Sequence, residues 1–240
     1  MNDLTQTQPQ DRRDELKTNL AAVHARIDRA CAAAGRDPRE ISLIAVTKRF
    51  PGTDADTLVD LGIRDVGENL DQEASAKVAQ LARRAQVRVH FIGQLQSNKA
   101  RHVAGYADVI QSVDRPRLLS PIARGAGEAG RAVDVLIQVS LDGDPARGGT
   151  LPVDVPGLAD EIVSRPGLRL RGVMAVAPLD RDPAGAFADL AIVSRSLRER
   201  HSQAEWISAG MSSDLEAAVA HGATHLRVGA AILGSRPSRR

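Results

Sequence analysis

The sequence predicts an α/β fold, a (β/α)8 TIM barrel preceded by an extra N-terminal helix. From residue 41 onward, eight short β-type runs alternate with longer helical patterns. The β-type runs are continuously apolar, as expected for parallel strands covered on both faces. The length of 240 residues matches the ~250 residues typical of this barrel. A doubly wound open sheet is the alternative, and the count of eight strands favours the barrel.

The predicted elements follow in a regular order. A leading helix is expected at residues 11–34, with apolar residues at helical spacing at Leu16, Leu20, Val23 and Ile27. The strands are expected at residues 41–47, 65–67, 87–93, 108–113, 134–140, 170–176, 206–210 and 226–229. The later helices are expected near residues 54–61, 71–84, 97–104, 115–130, 153–165, 183–201 and 212–221. No linker divides the chain, so we expect a disordered N-terminus at residues 1–10, one domain at 11–235 and a flexible tail at 236–240.

Composition excludes several classes of protein. The 32 basic and 30 acidic residues are interspersed and leave a formal charge of +2, so neither a nucleic-acid nor a membrane partner is implied. No apolar run approaches the ~18 residues that could span a bilayer, and the N-terminus lacks the apolar stretch of a signal peptide. The single cysteine, Cys31, excludes an intramolecular disulfide and is expected to be buried. We therefore expect a soluble cytoplasmic protein without a metal site.

A lysine ends the first predicted strand. Only four of the 32 basic residues are lysines, and Lys48 alone follows an apolar strand. Lys17 and Lys77 fall in helical stretches and are expected to be solvated, and Lys99 opens a helix. Removal of a lysine from water lowers its pKa and yields the unprotonated amine that forms a Schiff base with a carbonyl group.

Two more strand ends predict a phosphate site. In such barrels, ligands bind at the C-terminal ends of the strands, and phosphate often binds after strands seven and eight. Hydroxyl groups and backbone amides freed by small residues are suited to bind an anion there. The candidates are Ser208, Met211 and Ser212 at the end of strand seven, and Arg227, Gly229 and Ala230 at the end of strand eight.

Some of these residues also have structural interpretations. Ser213, with Glu216 three positions later, predicts a capping box. Arg227 is expected either to face the barrel mouth or to pair with a carboxylate inside the barrel, such as Glu68. His90 lies within strand three and is expected to be a hydrogen-bonded residue of the core or pocket wall.

Together, a nucleophilic Lys48, a two-strand phosphate cradle and an inward Arg227 suggest a phosphorylated aldehyde as ligand. Pyridoxal 5′-phosphate (PLP) is the candidate. The chain has only three Phe, one Tyr and one Trp, so the ring of the ligand is expected to pack against Asn69, Met211 and aliphatic neighbours.

The sequence resembles the pyridoxal phosphate homeostasis protein family over essentially its whole length. The motifs that carry the resemblance are AVTK ending at Lys48, VGEN ending at Asn69, HFIGQLQSNK from His90, RGVMAV from Arg171, SAGMSSD from Ser208 and RVGAAILG from Arg227. The family is similar to the N-terminal barrel of alanine racemase without its C-terminal β domain.

This resemblance implies that Lys48 holds PLP as an aldimine, with Asn69 near the ring. It also implies that Ser212 and the backbone of Gly229 and Ala230 contact the phosphate, and that Arg227 faces the pyridine nitrogen. Three positions depart from the usual pattern of the family, with Leu70 in place of tyrosine, Ala230 in place of threonine and Leu233 in place of phenylalanine.

The resemblance favours intracellular PLP homeostasis or carriage over catalysis. A racemase needs a second base opposite Lys48, and the only tyrosine, Tyr106, lies beyond the helix that follows strand three. The expected protein is a monomer that delivers PLP to apo-enzymes. The alternatives are a PLP-dependent, racemase-like amino-acid enzyme, with Lys48 and His90 as bases, and a Schiff-base barrel aldolase.

Overall fold

Eight parallel strands close into a barrel in the computed structural model, which describes residues 9–234. The predicted fold class is confirmed, and each of the eight predicted runs overlaps one strand. The strands are β1 (Ser42–Val46), β2 (Asp65–Glu68), β3 (Arg88–Phe91), β4 (Val109–Val113), β5 (Val133–Gln138), β6 (Leu168–Met174), β7 (Trp206–Ser208) and β8 (His225–Val228).

Helices surround this barrel and connect its strands. They are α1 (Pro9–Ala33), α2 (Gly52–Asp60), α3 (Asp71–Gln80), α4 (Ser97–Tyr106), α5 (Leu119–Glu128), α6 (Val155–Val163), α7 (Pro183–Arg200), α8 (Leu215–Ala220) and α9 (Ala230–Leu233). Short 3-10 helices occur at Pro38–Glu40, Arg84–Gln86, Pro116–Leu118, Pro145–Arg147 and Pro152–Asp154.

The ends of several elements differ from the prediction. Helix α1 begins at Pro9, two residues before the expected domain start, whereas residues 1–8 and 235–240, with most of the expected terminal segments, lie outside the described residues. Helix α8 begins at Leu215 rather than at 212, because residues 211–214 form a turn. The four-residue helix α9 was not predicted, since so short a segment shows no periodicity.

The extra helix α1 packs on the outside of the barrel against α8 and α9. The four apolar residues predicted to line its inner face are buried, and Cys31 is fully buried, as predicted. Burial of such an apolar stripe supplies most of the stability of a surface helix. No helix within residues 9–234 combines the length and hydropathy needed to cross a membrane.

Strand register sets which loops meet at the barrel mouth, where the C-terminal ends of the strands lie. Ala45 of β1 pairs with Val228 of β8, and Val46 pairs with Gly67 of β2. The residues after β1 therefore lie between those that follow β8 and those that follow β2.

Candidate functional site

Lys48 lies in the turn that follows β1 at the barrel mouth and is partly buried. The preceding Thr47 donates its N–H to the carbonyl of Gly67 over 3.0 Å, which ties this turn to the end of β2. On the other side, a β-carbon added to Gly229 would stand 3.3 Å from both the β-carbon and the carbonyl oxygen of Val46. Lys48 thus follows a point flanked by the ends of β8 and β2.

The turn is contacted by a buried lysine of α3. Lys77 Nζ donates to the carbonyl oxygen of Thr47 and to Glu68 Oε1, both over 2.7 Å, and the Thr47 hydroxyl donates to the same Glu68 oxygen over 2.6 Å. The expectation that Lys77 is solvated is wrong, since Lys77 is only 8% exposed. Its ammonium group turns inward because the buried carboxylate of Glu68 requires an opposite charge.

Glu68 is not a partner of Arg227. Burial raises the pKa of Glu68, and the charge and hydrogen bond of Lys77 oppose that rise. Its second oxygen, Oε2, is buried and has no hydrogen-bond partner within residues 9–234. The expected alternative, an ion pair between Arg227 and Glu68, is therefore wrong, because the bonded oxygen of Glu68 is used by Lys77 and Thr47.

Asn69 follows β2 and is partly buried at the mouth. Its side-chain Oδ1 is buried and has no hydrogen-bond partner in the described part of the chain. The backbone of Asn69 touches the segment after β3, since a β-carbon on Gly93 would lie 2.0 Å from the Asn69 carbonyl oxygen. Only glycine permits this approach, which fixes Asn69 against the neighbouring strand end.

The residues after β7 form a turn closed by backbone and carboxylate contacts. The N–H of Met211 donates to Asp214 Oδ1 over 2.6 Å, and the carbonyl of Ser212 accepts a hydrogen bond of 3.1 Å from Arg26 Nη1 of α1. Arg26 also pairs with Glu216 at 2.9 Å. The predicted capping box of Ser213 and Glu216 is therefore wrong, because Glu216 pairs with α1 and Asp214 stands at the N-cap of α8.

Arg227 lies inside the barrel with its guanidinium group engaged. Its Nη1 donates to Ser208 Oγ over 2.7 Å and its Nη2 to the carbonyl oxygen of Ala175 over 2.8 Å. Its backbone N–H donates to the carbonyl of Gly210 over 3.0 Å and so joins the ends of β8 and β7. Burial lowers the pKa of Arg227 to about 10, so the side chain keeps its positive charge at neutral pH.

Gly229 and Ala230 lead from β8 into α9. The first amides of a helix have no acceptor within it, so the N–H groups at this point are available to an anion. A short helix after strand eight is a frequent phosphate-binding element of TIM barrels. Gly229 is the N-cap residue of α9 and Ala230 its first residue.

A chain of hydrogen bonds crosses the barrel interior from Arg227 to Asp65. Ser208 Oγ donates to Gln111 Oε1 over 2.7 Å, and the Gln111 amide contacts His90 Nδ1 at 2.9 Å. His90 Nε2 lies 2.7 Å from Asp65 Oδ1. Because a carboxylate only accepts hydrogen bonds, His90 Nε2 is the donor in its contact with Asp65. His90 is fully buried, which confirms the prediction of a hydrogen-bonded core residue.

A cavity of about 680 Å³ opens beside Asn69 between α3 and α4. Its lining includes Leu70, Gln94, Gln96 and Lys99. Leu70 is 51% exposed at this cavity. Among the residues predicted for the site, only Asn69 lines it; the others lie elsewhere around the mouth or inside the barrel.

Several residues of this region were not predicted. Glu73 and Lys77 of α3 reach the Lys48 turn, and their spacing of four residues on one helix face was the available signal. Gln111 and Asp65 complete the interior chain, and each is a buried polar residue of a strand. Ser208 was predicted as a ligand contact, but it is fully buried beneath the mouth and holds Arg227.

Comparison with known proteins gives one family over most of the chain. The sequence pattern of the family described as "Alanine racemase, N-terminal domain" matches residues 18–237. A protein of Mycobacterium tuberculosis (strain ATCC 25618 / H37Rv) named "Pyridoxal phosphate homeostasis protein" is 42% identical over 247 residues, covering 95% of this chain and 96% of that protein. A protein of the same name from Escherichia coli (strain K12) is 34% identical over 228 residues, covering 93% of this chain and 97% of that protein.

Among solved structures, the chain is similar to PipY of Synechococcus elongatus PCC7942, which was determined with PLP bound. The TM-score is 0.80 and the sequence identity is 33%, with 91% of this chain and 100% of that chain covered.

Proposed function

Because the chain belongs to the pyridoxal phosphate homeostasis protein family, whose barrel is of the alanine racemase N-terminal type, we propose that it binds PLP through Lys48 and serves PLP homeostasis. The observation that carries the proposal is the position of Lys48. It follows β1 at the barrel mouth, between the small-residue end of β8 and the Asn69 end of β2.

The residues around Lys48 fit this group. Asn69 Oδ1 is a buried polar atom without a partner in residues 9–234, so a ligand beside it can satisfy it. Gly229 has no side chain at the end of β8, where an added β-carbon would lie 3.3 Å from Val46. A phosphate can therefore approach the backbone at this point. Arg227 supplies a positive charge beneath the mouth, on a guanidinium group that is buried and held by hydrogen bonds.

Each residue has a separate role in the proposal. Lys48 would hold PLP through its Nζ, since a lysine amine and an aldehyde form a Schiff base with loss of water. Asn69 and Met211 flank the ring. Ser212 and the backbone N–H groups of Gly229 and Ala230 bind the phosphate.

In this proposal, Arg227 determines how strongly the ring of bound PLP can withdraw electrons. PLP supplies an aldehyde for linkage to an amine and a pyridine ring that withdraws electrons when its nitrogen is protonated. Arg227 keeps its proton at neutral pH, so toward the ring nitrogen it acts only as a hydrogen-bond donor. This arrangement leaves the ring a weak electron sink, which favours storage and carriage over amino-acid catalysis.

The racemase-like alternative has less support. His90 is fully buried, and both of its ring nitrogens are engaged, by Asp65 and Gln111. Tyr106 lies at the end of α4, where its hydroxyl donates to Asp71 over 3.3 Å. Neither residue stands at the Lys48 turn as a second base. The alternative predicts exchange of the α-proton of an amino acid in deuterated water, lost in Lys48→Ala; carriage predicts no such exchange.

The test of PLP binding uses the small number of lysines. The protein is loaded with PLP and reduced with borohydride, and the modified lysine is located by peptide mass mapping. We expect a pyridoxyl adduct on Lys48, its loss in Lys48→Arg and its retention in the control Lys17→Arg. An adduct spread over Lys17 and Lys99, or none, contradicts the proposal.

We further propose that the protein acts as a cytoplasmic monomer and that apo forms of PLP-dependent enzymes accept the cofactor from it. Mixing PLP-loaded protein with an apo-enzyme, in the presence of a scavenger of free PLP, tests this transfer. Activation that persists despite the scavenger is expected. Light scattering coupled to gel filtration measures the molar mass in solution, and we expect the 25.6 kDa of a single chain.

A further inference from the structure

The turn that carries Lys48 is held on both sides of that residue by α3. Thr47, before Lys48, gives its carbonyl oxygen to Lys77 Nζ at 2.7 Å. Arg49, after Lys48, donates its backbone N–H to Glu73 Oε1. Glu73 and Lys77 stand four residues apart on α3 and contact each other at 3.3 Å. One helix face therefore contacts both neighbours of Lys48.

The ammonium group of Lys77 is fully used in this arrangement. It contacts the Thr47 carbonyl, Glu68 Oε1 at 2.7 Å and Glu73 Oε1 at 3.3 Å, which matches its three N–H donors. Its side chain is 6% exposed. Lys77 therefore connects the Lys48 turn to Glu68 and Glu73, and its amine is not available to react with a ligand.

The backbone of the turn requires outside support. Arg49 has φ of +68° and is the non-glycine residue with positive φ among residues 9–234. Residues with a β-carbon avoid this region and persist there only when surrounding contacts enforce it. The hydrogen bond from the Arg49 N–H to Glu73 is such a contact, and it lies one residue from Lys48.

We propose that Glu73 and Lys77 are positioning residues that clamp the turn at Thr47 and Arg49 and thereby aim Lys48 at the aldehyde carbon of PLP. This inference rests on the proposed function, in which Lys48 bonds to PLP. Covalent linkage requires the amine at bonding distance and in the correct direction, so a turn free to relax lowers the fraction of protein poised to react. Contacts to the phosphate and the ring do not depend on that aim.

The test separates linkage from ordinary binding by using two ligands. PLP has the aldehyde, and pyridoxine 5′-phosphate has the same ring and phosphate but an alcohol in its place. Dissociation constants for both are measured for the wild type, Glu73→Ala, Glu73→Gln and the exposed control Lys17→Met. Lys77→Met is a second variant, and circular dichroism and thermal unfolding verify the fold of each.

We expect Glu73→Ala to weaken PLP affinity about fivefold or more, with pyridoxine 5′-phosphate affinity changed by less than about twofold. Glu73→Gln retains an oxygen that accepts from Arg49 and Lys77, and it should restore PLP affinity. Lys77→Met should follow Glu73→Ala, and Lys17→Met should match the wild type. Equal losses for both ligands, or no loss of PLP affinity in Glu73→Ala, overturn the inference.

A measurement without PLP distinguishes the clamp from the proposed function. Amide hydrogen exchange at Arg49 should be faster in Glu73→Ala than in the wild type and Glu73→Gln. If this difference is found but the wild type forms no adduct at Lys48, the clamp is retained and the proposed function fails. If the wild type forms the adduct and exchange at Arg49 is unchanged by Glu73→Ala, the clamp fails alone.

Discussion

Arg227 donates a hydrogen bond of 2.7 Å from Nη1 to Ser208 Oγ inside the barrel. Ser208 is the last residue of β7 and Arg227 is the last but one of β8. Ser208 is fully buried and Arg227 is 4% exposed. Ser208 therefore helps to fix the direction of the Arg227 side chain. Since Ser208 also donates to Gln111, the direction of the arginine depends on a chain of bonds that runs to Asp65.

The substitution Ser208→Ala tests this dependence. It removes an acceptor from Arg227 and a donor from Gln111, and buried polar groups without partners cost about 1–3 kcal/mol each. We expect the free energy of unfolding to fall by about 2–6 kcal/mol, measured by urea denaturation, and PLP affinity to fall with it. The control is Ser164→Ala, because Ser164 is an exposed serine that bonds only to a nearby carbonyl of its own helix end. If both variants lose the same stability, Ser208 has no such role.

Because the backbones of Gly93 and Asn69 lie in close contact, we expect that even an alanine side chain at position 93 destabilises the protein. In Gly93→Ala the β-carbon would lie 2.0 Å from the Asn69 carbonyl oxygen, so one of the two strand ends must move. We expect a loss of unfolding free energy of about 2 kcal/mol or more and weaker PLP binding, because Asn69 moves with its backbone.

The matched control is Gly105→Ala on α4, where an added β-carbon meets nothing within 4 Å. Alanine is the better helix former by up to about 1 kcal/mol, so this variant should be as stable as the wild type or more so. Thermal unfolding followed by circular dichroism gives both values. Equal behaviour of the two variants would refute the close approach at Asn69.

His225 predicts a loss of stability as the pH falls. Burial lowers the pKa of this 3%-exposed histidine to about 3, whereas an unfolded histidine has a pKa of about 6.5. Below pH 6.5 the unfolded chain binds a proton that the folded chain does not, so acid favours unfolding by about 1.4 kcal/mol per pH unit from this group.

Urea denaturation at pH 7, 6 and 5 measures this slope. His225→Gln should have a shallower slope than the wild type over this range, even if it is less stable throughout. His24→Gln, which replaces an exposed histidine of α1, is the control. A wild-type slope retained in His225→Gln contradicts the assignment.

Ala230 predicts a gain of affinity. The family resemblance implies threonine at this position, and in Ala230→Thr a hydroxyl at the start of α9 adds one donor to the proposed phosphate site. A hydrogen bond to a charged group is worth about 1.5–3 kcal/mol when well formed, and an exposed one less, so we expect PLP to bind about threefold to tenfold more tightly. Ala230→Val has the same shape without the hydroxyl and should leave the dissociation constant unchanged. An equal gain in Ala230→Val would assign the effect to packing.

The fold was predictable because its signals are local and repeated. Each strand is a short apolar run between turn residues, and each longer helix shows a 3.6-residue period. The turns at the ends of α8 and the short α9 were not predictable, since a few residues carry too little pattern to distinguish a helix from a turn.

The candidate site was predictable in part. Lys48 ends an apolar strand in a chain with only four lysines, and the serine and glycine residues after β7 and β8 match a known place for phosphate. Lys77 was mistaken for a solvated lysine because its helix face is polar in sequence, and nothing local shows that Glu68 lies beneath it.

The sequence by itself determined the barrel, the strand ends at which function is expected and the lysine proposed to react, because apolar runs and the residues at their ends are properties of neighbouring positions. Only the tertiary structure decided which polar residues meet. Glu73, Lys77 and Glu68 close on the Lys48 turn, and Arg227 points to Ser208 rather than to Glu68. Such pairings join residues far apart in the sequence, as Ser208 and Gln111 are at 97 positions, and they form because buried polar groups must find partners once the barrel excludes water.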